Sequence, residues 1–379
     1  MLSKSMTIDL YENFRKGGPA CVRIGTGGIS RDPTTSAAKG VFRNNAGKKG
    51  IQMIIRSKFL ALATGTLALA MSTTALSTAQ AAYPEKPITV VVAYDAGGST
   101  DVTARLLAPF IEKHLGGTRI EVVNKPGAGG EIGFAAIADA APDGYSIGFC
   151  NTPNMVSIPI ERQARFSADR LDALVNVVDD PGVWSVPGDS TFKTLKDVVE
   201  HAKANPNTVT VGTTGVGSDD QLAMLLVQRQ AGVQFTHVPF SGSAANYKAM
   251  LAKKIQISGQ NLGEGLRGQA SDQIRVLGVM SKERWKAAPD IPTFAEQGYP
   301  VLMASLRGVC APKGLPADVR AKLVDAVTKA ATDPEFVAKA EAKETFQPLR
   351  VLGPDAFAAE LKQLDTELKS LWQSSPWLK

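Results

Sequence analysis

Four short stretches set glycines and small hydroxyl residues directly against apolar runs: AGGSTD (96–101), KPGAGGEIG (125–133), GTTGVGSDD (212–220) and PFSGSA (239–244). The chemistry this composition suits is anion binding by the backbone. Glycine lets a ligand come close to main-chain N–H groups, and the first turn of a helix leaves those donors unpaired with the positive end of its dipole outward. A carboxylate or a phosphate is the natural guest, at about 1.5–3 kcal/mol per charge-assisted hydrogen bond. One such loop is no more than a tight strand-to-helix turn requires, whereas four of them describe a cleft. Gly98 and Gly130 are expected to be glycines because a ligand carboxylate approaches their backbone.

Other chemistries lack their residues. The stretch from Gly127 has Ile132 where a dinucleotide fingerprint needs its third glycine, and GTTGVGS has no lysine after Gly217 as a phosphate-binding P-loop requires. GGSTD is not a Gly-x-Ser-x-Gly nucleophile elbow, and neither Ser99 nor Ser218 has a recognisable base. The histidines, His114, His201 and His237, are scattered along the chain with no metal-ligand spacing. No catalytic residue, metal or cofactor is expected, so the cleft reads as one that binds without reacting.

The elements that must hold these loops follow from periodicity. Strand-like runs at 88–94, 119–124 and 145–150 alternate with helical patterns at 102–115 and 131–141. Pro109 should kink the first of these helices. The pattern restarts near Pro187. Thr194 with Asp197 and Ser218 with Gln221 have the spacing of capping boxes. Strands are expected at 209–211, 235–238, 255–259 and 274–280, with a helix from Ser243. After LRGVCAP (306–312) come helices at 317–332 and 334–344, a strand at 346–352 and a last helix at 355–373. Alternation of this kind implies an α/β protein with a mostly parallel sheet covered by helices in each of two domains. The late strand belongs at the edge of the first sheet, so the chain crosses between domains twice.

Near the start, MIIRSKFLALATGTLALAMSTTALSTAQA from Met53 reads as a secretory signal peptide, with basic residues, an apolar run from Phe59 to Met71 and a small-residue site ending at Ala81. Residues 1–52 read as a non-native extension ahead of a true start at Met53. Residues 1–81 hold 11 of the chain's 42 Lys and Arg and 3 of its 36 Asp and Glu, which leaves 31 basic and 33 acidic residues, a net charge of −2. The positive charge of the whole chain is therefore a leader property, and nucleic-acid binding loses its support. Cys150 and Cys310 each end an apolar run; two buried free thiols are the plainer reading, and a disulfide is the alternative that export permits.

YPEKPITVVVAYDAGGSTDVTAR (83–105), VVNKPGAGGEIGFAAIADAAPDGYSIGF (122–149) and PDIPTFAEQGYP (289–300) together resemble the solute receptors of tripartite tricarboxylate transporters, the Bug family. The resemblance runs from about Tyr83 to the C-terminus. It implies a two-lobed periplasmic binding protein of the Venus-flytrap kind, with lobes at 83–182 plus 305–379 and at 183–304. Such a protein is a monomer that captures a small organic acid or amino acid and passes it to two integral membrane subunits. By the same resemblance Gly97, Gly98, Ser99, Thr100 and Asp101, with Gly127, Ala128, Gly129 and Gly130, hold one carboxylate, partly through ordered water. Thr213, Thr214, Gly215 and Ser218, with Phe240, Ser241 and Gly242, select the remainder, and Asn151 and Thr152 are further candidates.

Departures from the family pattern narrow the ligand. Phe240 and Ser241 stand where members often carry Tyr-Lys, and Asp219, Asp220 and Glu264 replace the cationic side chain expected of the second lobe. If Asp219 or Asp220 faces the ligand, it rejects a second negative charge, which points to a monocarboxylate, an amide or an amino acid. The same fold and site would serve a sensory receptor docking to a membrane signalling protein; a cleft enzyme acting on a small acid is the third reading.

Overall fold

The computed structural model describes residues 83–342, 345–374 and 376–377; the expected signal peptide and the extension before it lie outside the described residues. The chain enters as β1 (Ile88–Val92), apolar on both faces as an inner parallel strand must be. It pairs in parallel with β2 (Ile120–Asn124) and β3 (Ser146–Asn151), connected by α1 (Ser99–His114) and α2 (Glu131–Ala138). Helix α1 begins three residues earlier than periodicity indicates, on the Ser-Thr pair itself, and Pro109 lies within it.

After α3 (Asn154–Glu161) comes β4 (Leu171–Pro187), 17 residues long and the strand on which the architecture turns. Its first part, Leu171 to Pro181, pairs antiparallel with β9 (Ala304–Pro312). From Gly182 onward it pairs antiparallel with β7 (Ile257–Asn261) and β8 (Ile274–Val279). A second parallel set, β5 (Thr210–Thr213) between β6 (Thr236–Pro239) and β7, continues outward. The path runs β2-β1-β3-β9-β4-β7-β5-β6. The expected parallel pairing thus holds within β1–β3 and β5–β7. Where the halves join, pairing is antiparallel because β4 takes the chain out of the first sheet and β9 brings it back.

The second sheet carries α4 (Leu195–Ala204), α5 (Asp219–Ala231), α6 (Ser243–Leu251) and α7 (Leu262–Ala270). The capping box of Thr194 and Asp197 is formed at the start of α4. The chain returns to the first sheet with α8 (Ala317–Ala331), α9 (Pro334–Glu341), β10 (Leu349–Leu352) and α10 (Pro354–Ser374). Strand β10 pairs with the first half of β4.

A small core of Phe346 with Val183, Leu262 and Ile291 spans the two halves, and the two largest cores lie one on each side. One gathers Val90, Leu107, Ile111, Phe134, Ile147 and Phe336 under the first sheet; the other centres on Trp184, whose ring meets Phe235 and Phe294 edge-on at 5.5 and 5.6 Å. Each fully buried side chain of this size contributes about 1.5–3 kcal/mol. Cys150 and Cys310 are joined in a disulfide, their Cα atoms 6.0 Å apart. This corrects the plainer expectation of two free thiols: the register of β3 against β9 sets Cys150 opposite Gly308 and Cys310 opposite Gly148, so the cysteines are diagonal neighbours. Among the described residues no helix is long and apolar enough to cross a membrane.

Candidate functional site

The glycine-bearing junctions of both lobes come together along one cleft. On the first-lobe side, α1 starts at Gly98, which is extended (φ −74°, ψ 170°) and provides no side-chain cap. Its neighbouring donors are used in different ways. Gly97 N–H donates to the Asp101 carboxylate at 2.8 Å, within the loop. Ser99 N–H donates at 3.0 Å to Oε1 of Glu264, a residue of α7 in the other lobe. A carboxylate therefore sits on the helix start, and it belongs to the protein itself.

Asp101 is not turned to the cleft. Arg105 Nε and Asn124 Nδ2 donate to it at 2.9 Å. Burial raises its pKa, but these bonds and that from Gly97 outweigh burial and hold the carboxyl below its ordinary value. The expected ligand contact is a brace that shapes the loop. Thr100 Oγ1 accepts from Asn151 Nδ2 at 2.7 Å, and Ser99, Thr100, Asn151, Thr214 and Asp219 all line a small inner cavity of about 20 Å³.

Behind that cavity lies a buried ionic network. Arg307, 2% exposed, donates from Nη1 to Asp180 at 2.6 Å and from Nη2 to Asn261 Oδ1 at 2.8 Å. Burial opposes its charge, but Asp180 and Glu264 more than restore it. Asn261 Nδ2 donates in turn to Asp219 at 2.8 Å. Burial pushes Asp219 up to about 6, with Asn261 and Arg307 pulling the other way. Asp220 turns aside to accept from Thr214 N and Oγ1 at 3.0 and 2.8 Å; burial and then the Asp219 charge raise it well above its ordinary value. Of the two adjacent aspartates, Asp219 faces the cavity and Asp220 serves its own loop.

The glycines mark where the lobes touch. A Cβ on Gly98 would stand 2.8 Å from Ser243 Oγ, on Gly242 3.0 Å from Asp95 N, and on Gly215 2.6 Å from Gly129 Cα. Ser241 Oγ donates to the Asp95 carboxylate at 2.9 and 3.1 Å. Gly130 has a different reason. Its φ of +103° is one that side chains rarely adopt, and a Cβ would meet the Phe134 ring at 2.8 Å. That overturns the expectation that ligand approach makes Gly130 a glycine; conformation does.

The remaining sequence candidates shape the loops from behind. Thr152 Oγ1 accepts from Leu306 N at 2.9 Å, Thr213 Oγ1 bonds His237 Nε2 at 2.7 Å, and Ser218 Oγ caps α5 by accepting from Gln221 N. The Ala128 carbonyl, beside Gly127, accepts from Arg162 Nη2 at 2.7 Å. Phe240 packs with Val238, Met250 and Ile255 in a small apolar cluster. The sequence reading missed Arg307, Asp180, Asn154, Ser305 and Gln260. Arg307 and Asp180 had a usable signal: charges inside LRGVCAP and LVNVVDD, strands otherwise apolar, must be buried with a partner.

A second, outer cavity of about 330 Å³ shares Ser243 and Glu264 with the inner one and is bordered by Gly97. It reaches the size range of small-molecule sites.

A family model described as the tripartite tricarboxylate transporter family receptor (TctC) matches residues 103–355. The UPF0065 protein in the gbd 5' region of Cupriavidus necator is 31% identical over 276 residues, 73% of this chain and 84% of its own length. BugT of Bordetella pertussis is 32% identical over 236 residues, 61% of this chain and 72% of its own. The solved structure of the periplasmic binding protein BugD is similar with a TM-score of 0.71 and 30% identity, over 77% of this chain and 98% of that one.

Proposed function

Since the chain belongs to the tripartite tricarboxylate transporter receptor family, we propose that it is a periplasmic receptor that captures a small carboxylate-bearing metabolite between its lobes and presents it to the integral membrane subunits of a carrier. The observation that carries this reading is the Glu264 carboxylate at 3.0 Å from Ser99 N–H. A helix start without a side-chain cap accepts a carboxylate there, across the cleft, in the manner the dipole favours.

The lobes are residues 83–182 plus 305–379 and residues 183–304. Opening withdraws Glu264 and frees the Ser99 N–H. A ligand carboxylate takes that donor, with Thr100 and Asn151 beside it. Closure then brings the glycine loops together around the ligand, and the hinge lies where Gly182 N–H meets the Met303 carbonyl and the Gly182 carbonyl accepts from Met280 N–H. The Cys150–Cys310 disulfide suits an oxidising compartment.

A thermal-shift screen of mono- and dicarboxylates, amino acids and aromatic acids tests the reading. At 100 times its dissociation constant a ligand adds about 2.7 kcal/mol, several degrees for a chain of this size. A screen in which no carboxylate raises the melting temperature, or in which a bound compound is recovered chemically altered, overturns it.

A further inference from the structure

Most polar groups around the outer cavity are already paired. Glu264 accepts from Asn261 N as well as from Ser99 N. Arg267 Nη1 donates to the Thr345 and Phe346 carbonyls at 3.0 and 3.4 Å, Tyr247 donates to Gln273 Oε1 at 3.0 Å, and Lys248 is exposed. Gln260 differs from all of them. It is 1% exposed, it lines the cavity, and among the described residues neither its Nε2 nor its Oε1 has a hydrogen-bond partner. Its neighbours on β7 have structural duties, Gly259 beneath Asp220 and Asn261 in the Arg307 network. A buried amide unpaired on both atoms is destabilising unless something else completes it.

The complement of that amide is chemically restrictive. A carboxylate only accepts, so it pairs with Nε2 and turns an oxygen toward Oε1, beside the charge of Glu264. An ammonium only donates and leaves Nε2 unpaired. A primary carboxamide presents one donor and one acceptor in the same fork and satisfies both atoms. Arg267 and Lys248 do not reverse the order: the guanidinium is held beside Glu264 and tied to two carbonyls, and the ammonium is screened by solvent.

We propose that Gln260 determines specificity for the far end of the ligand and selects a neutral carboxamide over a second carboxylate. This rests on the receptor reading above, with the ligand's own carboxylate at the Ser99 end.

Calorimetry with succinate and glutarate, their monoamides, and butyrate and valerate as acids without a polar far end tests it. The monoamides are expected to bind about tenfold more tightly than the parent diacids, the scale of one well-formed hydrogen bond. Gln260→Leu should remove that advantage while leaving butyrate and valerate within about twofold; Gln260→Met, which keeps length and apolar character, is the second variant if the first does not fold. Diacids binding as tightly as their monoamides, 4-aminobutyrate binding better than either, or an amide preference that survives loss of Gln260 overturns the proposal while the receptor reading stands. If none of these acids binds the wild-type chain, the proposal for Gln260 fails, while the receptor reading is decided by the wider carboxylate screen.

Discussion

Helices α1 and α5 begin alike and are used differently. Each follows a parallel strand and a glycine-bearing loop, and each has aspartate in its first turn. In α5 the N-cap is Ser218, whose Oγ accepts from Gln221 N at 3.3 Å; Gln221 Oε1 takes the Gly217 N–H at 2.7 Å and Asp220 takes that of Thr214. The loop has consumed its own donors. In α1 the N-cap is Gly98, and the Ser99 N–H reaches across the cleft to Glu264. The donor that distinguishes them is the first N–H of the helix, which an N-cap hydroxyl does not take: Ser218 accepts from the third position of α5, while the first N–H of α1, that of Ser99, is met from across the cleft by Glu264.

The comparison can be broken most severely at Gly130, the glycine kept for conformation. Gly130→Val combines a disfavoured φ, about 1–3 kcal/mol, with a clash against Phe134, so urea unfolding should show a loss of about 3 kcal/mol or more. A variant with the wild-type midpoint would return Gly130 to the ligand-access class.

Next in size is the pH response of Asp219. Its folded pKa, about 6, lies above the ordinary 3.8, so the unfolded chain releases the proton first as pH rises. This carboxyl's contribution to stability is then greatest below about pH 4 and declines through the window up to about pH 6, by on the order of 1–3 kcal/mol. Asp219→Asn should flatten that decline and be the more stable protein at neutral pH. Equal slopes for the two proteins between pH 4 and 6 would show that the carboxyl does not titrate there.

The N-caps themselves give the smaller effects. Ser218→Ala is expected to lower stability by about 1 kcal/mol and leave ligand affinity alone. Gly98→Ser should do the opposite in kind, leaving the stability of the unliganded fold within about 1 kcal/mol while weakening carboxylate binding, since its Cβ would stand 2.8 Å from Ser243 Oγ and hold the lobes apart at the Ser99 N–H. Affinity that falls in the Ser218 variant and holds in the Gly98 variant would reverse the assignment of the two starts.

What was legible in the sequence was whatever periodicity and local chemistry report. Strands β1–β3 and β5–β7, the cap of α4 and the start of α6 all lie within a few residues of where the pattern puts them. Partners across long separations were not legible. Nothing local to LDALVNVVDDPGVWSVP says that one strand serves two sheets, and nothing in the cysteine spacing says that β3 will lie beside β9. The site shows the same limit. Asp219 and Asp220 are consecutive, and a helix turns about 100° per residue, so only one could face the cavity and the sequence did not say which. Asp101 reads as a binding residue although Arg105, four residues on in the same helix, was a legible partner; its bond from Asn124 exists only once β2 lies beside α1.

Cys150 and Cys310 close a ring of chain that contains every strand from β4 to β8. The second lobe is therefore a covalent loop hung from the first. A protease that cuts this loop once leaves a single molecule, with β3 still bonded to β9 across the break. Chain continuity within the first lobe does not depend on the integrity of the second: severing the two parts takes a reductant as well as a cut.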